Sequence, residues 1–132
     1  MKTKLLTFLC LIFLWCGTVL AKDAVFPPYG GFVNDFAGVL DPAMIKKMGE
    51  LSYVLEQETS AELVVVTIKT TAPLDPKEYA VKLFKEWKIG KAGKDNGILI
   101  LLSTDEQRVE IEVGYGLEGT VNDAKAGEII DN

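Results

Sequence analysis

The sequence predicts an α/β domain: a small mixed sheet, made of a βαβ crossover followed by an antiparallel hairpin, packed with helices in an αβα sandwich-like arrangement. Three observations carry this. Residues 62–69 (ELVVVTIK) and 97–103 (GILILLS) are apolar almost without a break, as strands covered on both faces are. The segment between them, opened by Asp75-Pro76 and closed near Gly90, has helical spacing, so the two strands are joined by a crossover and run parallel. Residues 108–113 (RVEIEV) alternate charged and branched side chains, the signature of a strand with one wet face, and only Thr104–Gln107 separate them from the preceding run. That loop is short enough for a hairpin, which makes the last two strands antiparallel.

The first residues stand apart from this domain. Lys2 and Lys4 precede an apolar run from Leu5 to Leu20, which ends at Val19-Leu20-Ala21. A charged start, an apolar middle and small residues at the end predict a signal peptide over 1–21, with an uncleaved anchor as the alternative. The run is short for a membrane span. The bulky Phe13-Leu14-Trp15 before Cys16 argue against a lipoprotein signal. Export follows, to the periplasm or a membrane surface. Residues 22–31 (KDAVFPPYGG) read as a linker, since Pro27-Pro28 and Gly30-Gly31 exclude regular structure. The domain proper is 32–132, and its last stretch, 123–132, opens a helix and stops, so the domain is read as C-terminally truncated.

Within it, Phe32–Leu40 forms a short strand or an ordered loop. Asp41-Pro42 then starts a helix, with Asp41 as N-cap and proline in the first turn. Met44, Met48, Leu51 and Leu55 predict one buried stripe ending near Glu58. Asp75-Pro76 repeats the same start chemistry, and Glu78 is spaced to complete a capping box. Ala80, Leu83, Phe84 and Trp87 form the apolar face of that second helix, and Gly90 is placed to end it.

Composition excludes several chemistries. Both cysteines, Cys10 and Cys16, lie in the leader, and there is no histidine. The mature chain therefore has no thiol nucleophile, no disulfide, no His base and no Cys or His zinc ligand. Without Lys2 and Lys4 the 14 basic residues fall to 12 against 19 acidic ones, a net charge of −7. An acidic domain is a poor nucleic-acid binder. Residues 114–119 (GYGLEG) spell G-x-G-x-x-G after a strand, but Thr120-Val121-Asn122 intervene before the next helix and Glu118 would sit in the phosphate cradle, so no nucleotide is expected. Lys82, Lys85, Lys88, Lys91 and Lys94 form a basic edge that reads first as a solvated face and second as a lipid-headgroup contact.

Antiparallel pairing brings the start of the third strand and the end of the fourth to one rim of the sheet. Asp95, Glu118 and Asp123 therefore gather there, and with carbonyls from Asn96 or the glycine loop they form a candidate oxygen site for a hard cation. The plain alternative is a turn at Asp95-Asn96-Gly97, a helix cap at Asp123 and a solvated Glu118. The calcium-loop pattern of an EF-hand is absent.

The segments VNDFAGVL (33–40), ELVVVTI (62–68), EYAVKLFKEWKIG (78–90), KDNGILILLS (94–103) and RVEIEVGYGLEGTVND (108–123) together resemble the TPM-domain family. That family takes its name from a thylakoid acid phosphatase, a photosystem II repair protein and a receptor-modulating membrane protein. The resemblance implies an α/β sandwich with an acidic pocket that in some members binds calcium or weakly hydrolyses phosphate esters; a divalent cation is expected here, calcium first, with magnesium or manganese as the alternatives. By position it assigns the metal carboxylates to Asp35, Asp95, Glu118 and Asp123. For Asp35 to join the others its loop must double back, because the start of the first helix belongs to the opposite end of the sheet. The expected role is a cation-binding accessory module for envelope or membrane proteins, with membrane attachment through a further C-terminal segment. A slow metal-dependent acid phosphatase acting on phosphate monoesters is the alternative.

Overall fold

The computed structural model describes residues 23–132. The expected leader and its cleavage point lie outside the described residues. The elements in order are β1 (Val33–Asp35), α1 (Pro42–Thr59), β2 (Glu62–Ile68), α2 (Pro76–Glu86), β3 (Gly97–Ser103), β4 (Arg108–Val113), a 3-10 turn (Tyr115–Leu117) and α3 (Asp123–Asp131). The four strands form one mixed sheet in the order β1-β2-β3-β4. β1, β2 and β3 run parallel, and β4 returns antiparallel to β3. The α/β fold with a parallel crossover and a hairpin is the architecture the sequence predicts.

One face of the sheet makes the core. Val64, Val66, Leu99 and Leu101 alternate along β2 and β3 and meet Tyr79, Ala80 and Leu83 of α2, all buried. Burial of this apolar area is the main driving force for the packing of α2 on the sheet. The linker joins this layer instead of standing free. Trp87 Nε1 donates to the Pro27 carbonyl at 2.9 Å, and Phe26 packs edge-on against Tyr79 with ring centroids 5.0 Å apart. Tyr29 donates to Glu62 at 3.1 Å; burial first, then the Glu62 charge, pushes its phenol up to about 12.

Helix α1 packs on β1 and β2 but contributes no side chain to that cluster. The stripe predicted for it is not buried: Met44 is 44% exposed and Leu51 59%, and Ser52 is the one fully buried residue of the helix. Helical spacing identified an amphipathic element, but spacing alone does not say whether anything covers the stripe. Among the described residues, no helix is long and apolar enough to cross a membrane.

The helix ends differ in detail from expectation. Asp41 accepts from Met44 N at 2.7 Å, and Asp75 from Lys77 N at 2.9 Å, so both act as N-caps as predicted. Glu78, however, reaches forward to Lys82 at 2.9 Å in an i,i+4 pair and does not close a capping box. Helix α2 ends before Gly90. Lys88 adopts the left-handed conformation (φ 51°), with Lys88 N bonded to Lys85 O and Ile89 N to Phe84 O, the bonding of a Schellman stop. Gly90 serves a different purpose, because a side chain there would run into the Gly97 backbone at 2.8 Å.

Candidate functional site

The rim of the sheet below β3 is assembled from main chain. Asp95 carries the turn at φ 48°, and its carbonyl accepts from Gly116 N at 2.9 Å. The Asn96 carbonyl accepts from Glu62 N at 3.0 Å, and the Gly97 carbonyl from Gly114 N at 2.8 Å. The two loops touch so closely that a Cβ at Gly114 would stand 2.1 Å from Asp95 O, and one at Gly116 1.9 Å from Lys94 O. The glycines thus allow loop to meet loop. Of the backbone oxygens that the sequence offered as cation ligands, those of Asn96 and Gly97 are engaged in these hydrogen bonds. Asn96 is equally committed: its Oδ1 accepts from Lys91 N at 2.9 Å, and its Nδ2 donates to Ser60 O at 3.0 Å and to Ser60 Oγ at 3.1 Å.

Asp95 and Glu118 line one pocket of about 330 Å³ between α2 and the exit of β4. Its apolar wall is Val81, Phe84, Ile89 and Val113. Glu112, Lys85 and Tyr115 complete the lining, and Tyr115 is 82% exposed. Asp123 does not line this pocket. It is the first residue of α3, whose cap is Asn122, accepting from Lys125 N at 2.9 Å.

Asp35 sits at the other end of the sheet. It aligns with Thr67, which aligns with Leu102, so it stands seven residues along the strand direction from Asp95. At the usual strand rise that is roughly 20 Å. Its carboxylate is used locally, accepting from the Thr67 hydroxyl and, at 3.1 Å each, from Val39 N and Leu40 N. The Thr67 hydrogen bond, ahead of opposing desolvation and helped by the backbone donors, holds its pKa below the usual carboxylate value. Among the described residues, no group of three or more Asp, Glu, Cys or His is placed to hold a metal ion. A cation such as calcium takes six to eight oxygens. Two carboxylates over an apolar wall therefore fit a hydrated ion but not a protein-built coordination shell.

Glu112 and Glu110 are the residues that sequence reasoning placed wrongly. The alternation of β4 suggested that its glutamates face water. In the observed register Leu99 pairs with Glu112 and Leu101 with Glu110, so both lie on the face that α2 covers. Glu110 is 8% exposed and is paired with Arg108 at 2.5 Å; Glu112 is paired with Lys77. The signal was present, since a hairpin closing at Ser103 and Arg108 fixes that parity.

A second acidic group lies at the Asp35 end. Glu106 accepts from the Ser103 hydroxyl, from Thr70 Oγ1 at 2.6 Å and from Thr71 N at 3.2 Å. Those bonds, Ser103 first and Thr70 next, lower its pKa to about 2 against some opposing desolvation. A larger cavity of about 620 Å³ opens at this end, between Phe26, Phe36, Ile68 and Tyr79, and it contains none of the predicted carboxylates.

A mixed four-stranded sheet with one helix over its core face, and an anionic pocket where the β4 exit meets the β3 approach, define a small α/β domain with one candidate site at its rim. Residues 33–132 match the family model described as the TPM domain, and the chain belongs to that family. It is similar to the solution structure of the N-terminal domain of a protein from P. gingivalis, with 32% identity and a TM-score of 0.70 over 76% of this chain and 64% of that one. It also resembles in fold the N-terminal domain of the cg2496 protein from Corynebacterium glutamicum, at 19% identity and a TM-score of 0.56, covering 74% of this chain and 62% of that one. The chain thus spans less than two thirds of either neighbour. A search of curated proteins finds no match.

Proposed function

We propose that this TPM domain is an exported, non-catalytic module that steadies or recruits envelope or membrane proteins, and that its acidic pocket binds a cation, calcium before magnesium or manganese. One observation carries the reading: Asp95 and Glu118, distant in sequence, line the same pocket. Opposed carboxylates attract a cation through Coulomb forces that strengthen wherever water is thinned by an apolar wall. With so few protein oxygens, the ion keeps most of its water and binds weakly. Calorimetric titration of calcium, magnesium and manganese tests this. Heat of binding is expected for the native chain and is lost in Asp95→Asn and Glu118→Gln. Absence of binding by all three ions removes the cation from the proposal.

The phosphatase alternative draws support from Lys85, a cation lining the same pocket that would face a phosphoryl group. Against it, the guanidinium of Arg108 is engaged with Glu110. A metal would have to polarise the ester and activate water with little help from the protein. Phosphatase turnover by pure protein that disappears with chelator and in Lys85→Ala would favour this reading.

A further inference from the structure

We propose that the pocket between α2 and the β4 exit accepts a lysine or arginine side chain projecting from a partner polypeptide. This rests on the reading of the domain as an interaction module and states what the partner presents. A metal ion makes no favourable contact of its own with Val81, Phe84, Ile89 and Val113, yet these form a whole wall of the pocket. An aliphatic stem with a charged tip needs that combination: apolar surface along its length and carboxylates at its end.

The charges match. Glu112 is already engaged by Lys77, so Asp95 and Glu118 are the carboxylates that remain to meet an incoming cation. Lys85, also in the lining, offsets part of that field but leaves the carboxylates of the lining in excess. Tyr115, 82% exposed, offers a ring at the open edge, where a guanidinium or ammonium stacks favourably. The volume of about 330 Å³ has room for one long side chain. The rim is also held by main chain, through Gly116 N to Asp95 O and Gly114 N to Gly97 O, so little ordering is needed on binding.

The test is amide chemical-shift titration of the ¹⁵N-labelled protein with four probes: acetyl-Gly-Arg-Gly-amide, the lysine and norleucine counterparts, and calcium chloride. The arginine and lysine peptides are expected to shift Gly114, Tyr115 and Glu118 saturably, and norleucine is not. Asp95→Asn with Glu118→Gln should weaken the arginine peptide about tenfold, whereas Asp35→Asn, at the far end of the sheet, leaves it unchanged. Equal binding by norleucine, or no loss in the double variant, overturns the inference. If calcium shifts these amides and neither basic peptide does, the inference fails while the cation-binding reading stands. If the basic peptides bind and calcium does not, the inference stands and the metal ion drops out of the proposed function.

Discussion

The α-carbon of Gly114 faces the carbonyl of Asp95 so closely that a single added methyl would lie 2.1 Å from that oxygen. The contact joins the two chain segments that bring Asp95 and Glu118 to one pocket. Backbone meets backbone there, so neither side can yield by rotating a side chain.

Gly114→Ala should therefore cost about 2–3 kcal/mol by overpacking, a fall in Tm on the order of 10 °C for a domain of this size. The control is Gly119→Ala, where nothing lies within 4 Å and the change should stay within about 0.5 kcal/mol. Thermal denaturation of both variants checks the difference. An equally mild result at both positions would contradict the close approach.

Glu106 sets an acid limit. Its folded pKa of about 2 lies below its ordinary 4.5, so it contributes stability that is fully present above pH 4.5 and is lost as pH falls toward 2. Carboxyl NMR should find the depressed value, and Ser103→Ala should raise it, since the Ser103 hydroxyl is the leading cause. In Glu106→Gln, the stability-versus-pH curve should flatten across that window.

Asp35 holds the loop between β1 and α1 and takes no part in the pocket. Asp35→Asn is expected to lower Tm by about 5 °C while calorimetric cation binding stays unchanged. Loss of binding without loss of stability would return Asp35 to the ligand set.

Among the described residues, two buried hydroxyls lack partners, Ser52 Oγ and the Tyr79 phenol. Removing an unsatisfied buried polar atom relieves its desolvation cost, so Ser52→Ala and Tyr79→Phe should each be neutral or stabilising by up to about 1 kcal/mol. Urea denaturation at constant m checks this.

The strands were legible in the sequence because their signal is local. GILILLS and RVEIEV fall on β3 and β4 with the predicted bounds, and ELVVVTI on β2 is one residue shorter than read. Caps at Asp41 and Asp75 were equally local. Whatever depends on what lies above an element was not legible. The Met44–Leu51 stripe looks like a core face, yet Leu51 is 59% exposed. The glutamates of β4 look wet, yet Glu110 is 8% exposed because α2 lies over it. At the rim, convergence of Asp95 and Glu118 followed from strand direction. The apolar wall came from Val81 and Phe84 of α2, whose rotation about its axis no pattern in the sequence specifies.

The interlocked loops around Lys94, Asp95, Gly114 and Gly116 are joined through their peptide groups, so that side of the cleft keeps its backbone shape whatever the acidic positions carry, while Val81, Phe84 and Ile89 shape the other side. Its chemistry is consequently interchangeable. Swapping the acidic positions for neutral or basic ones should redirect the cleft toward a different guest while its outline persists, which makes it a natural place to retune selectivity without rebuilding the scaffold.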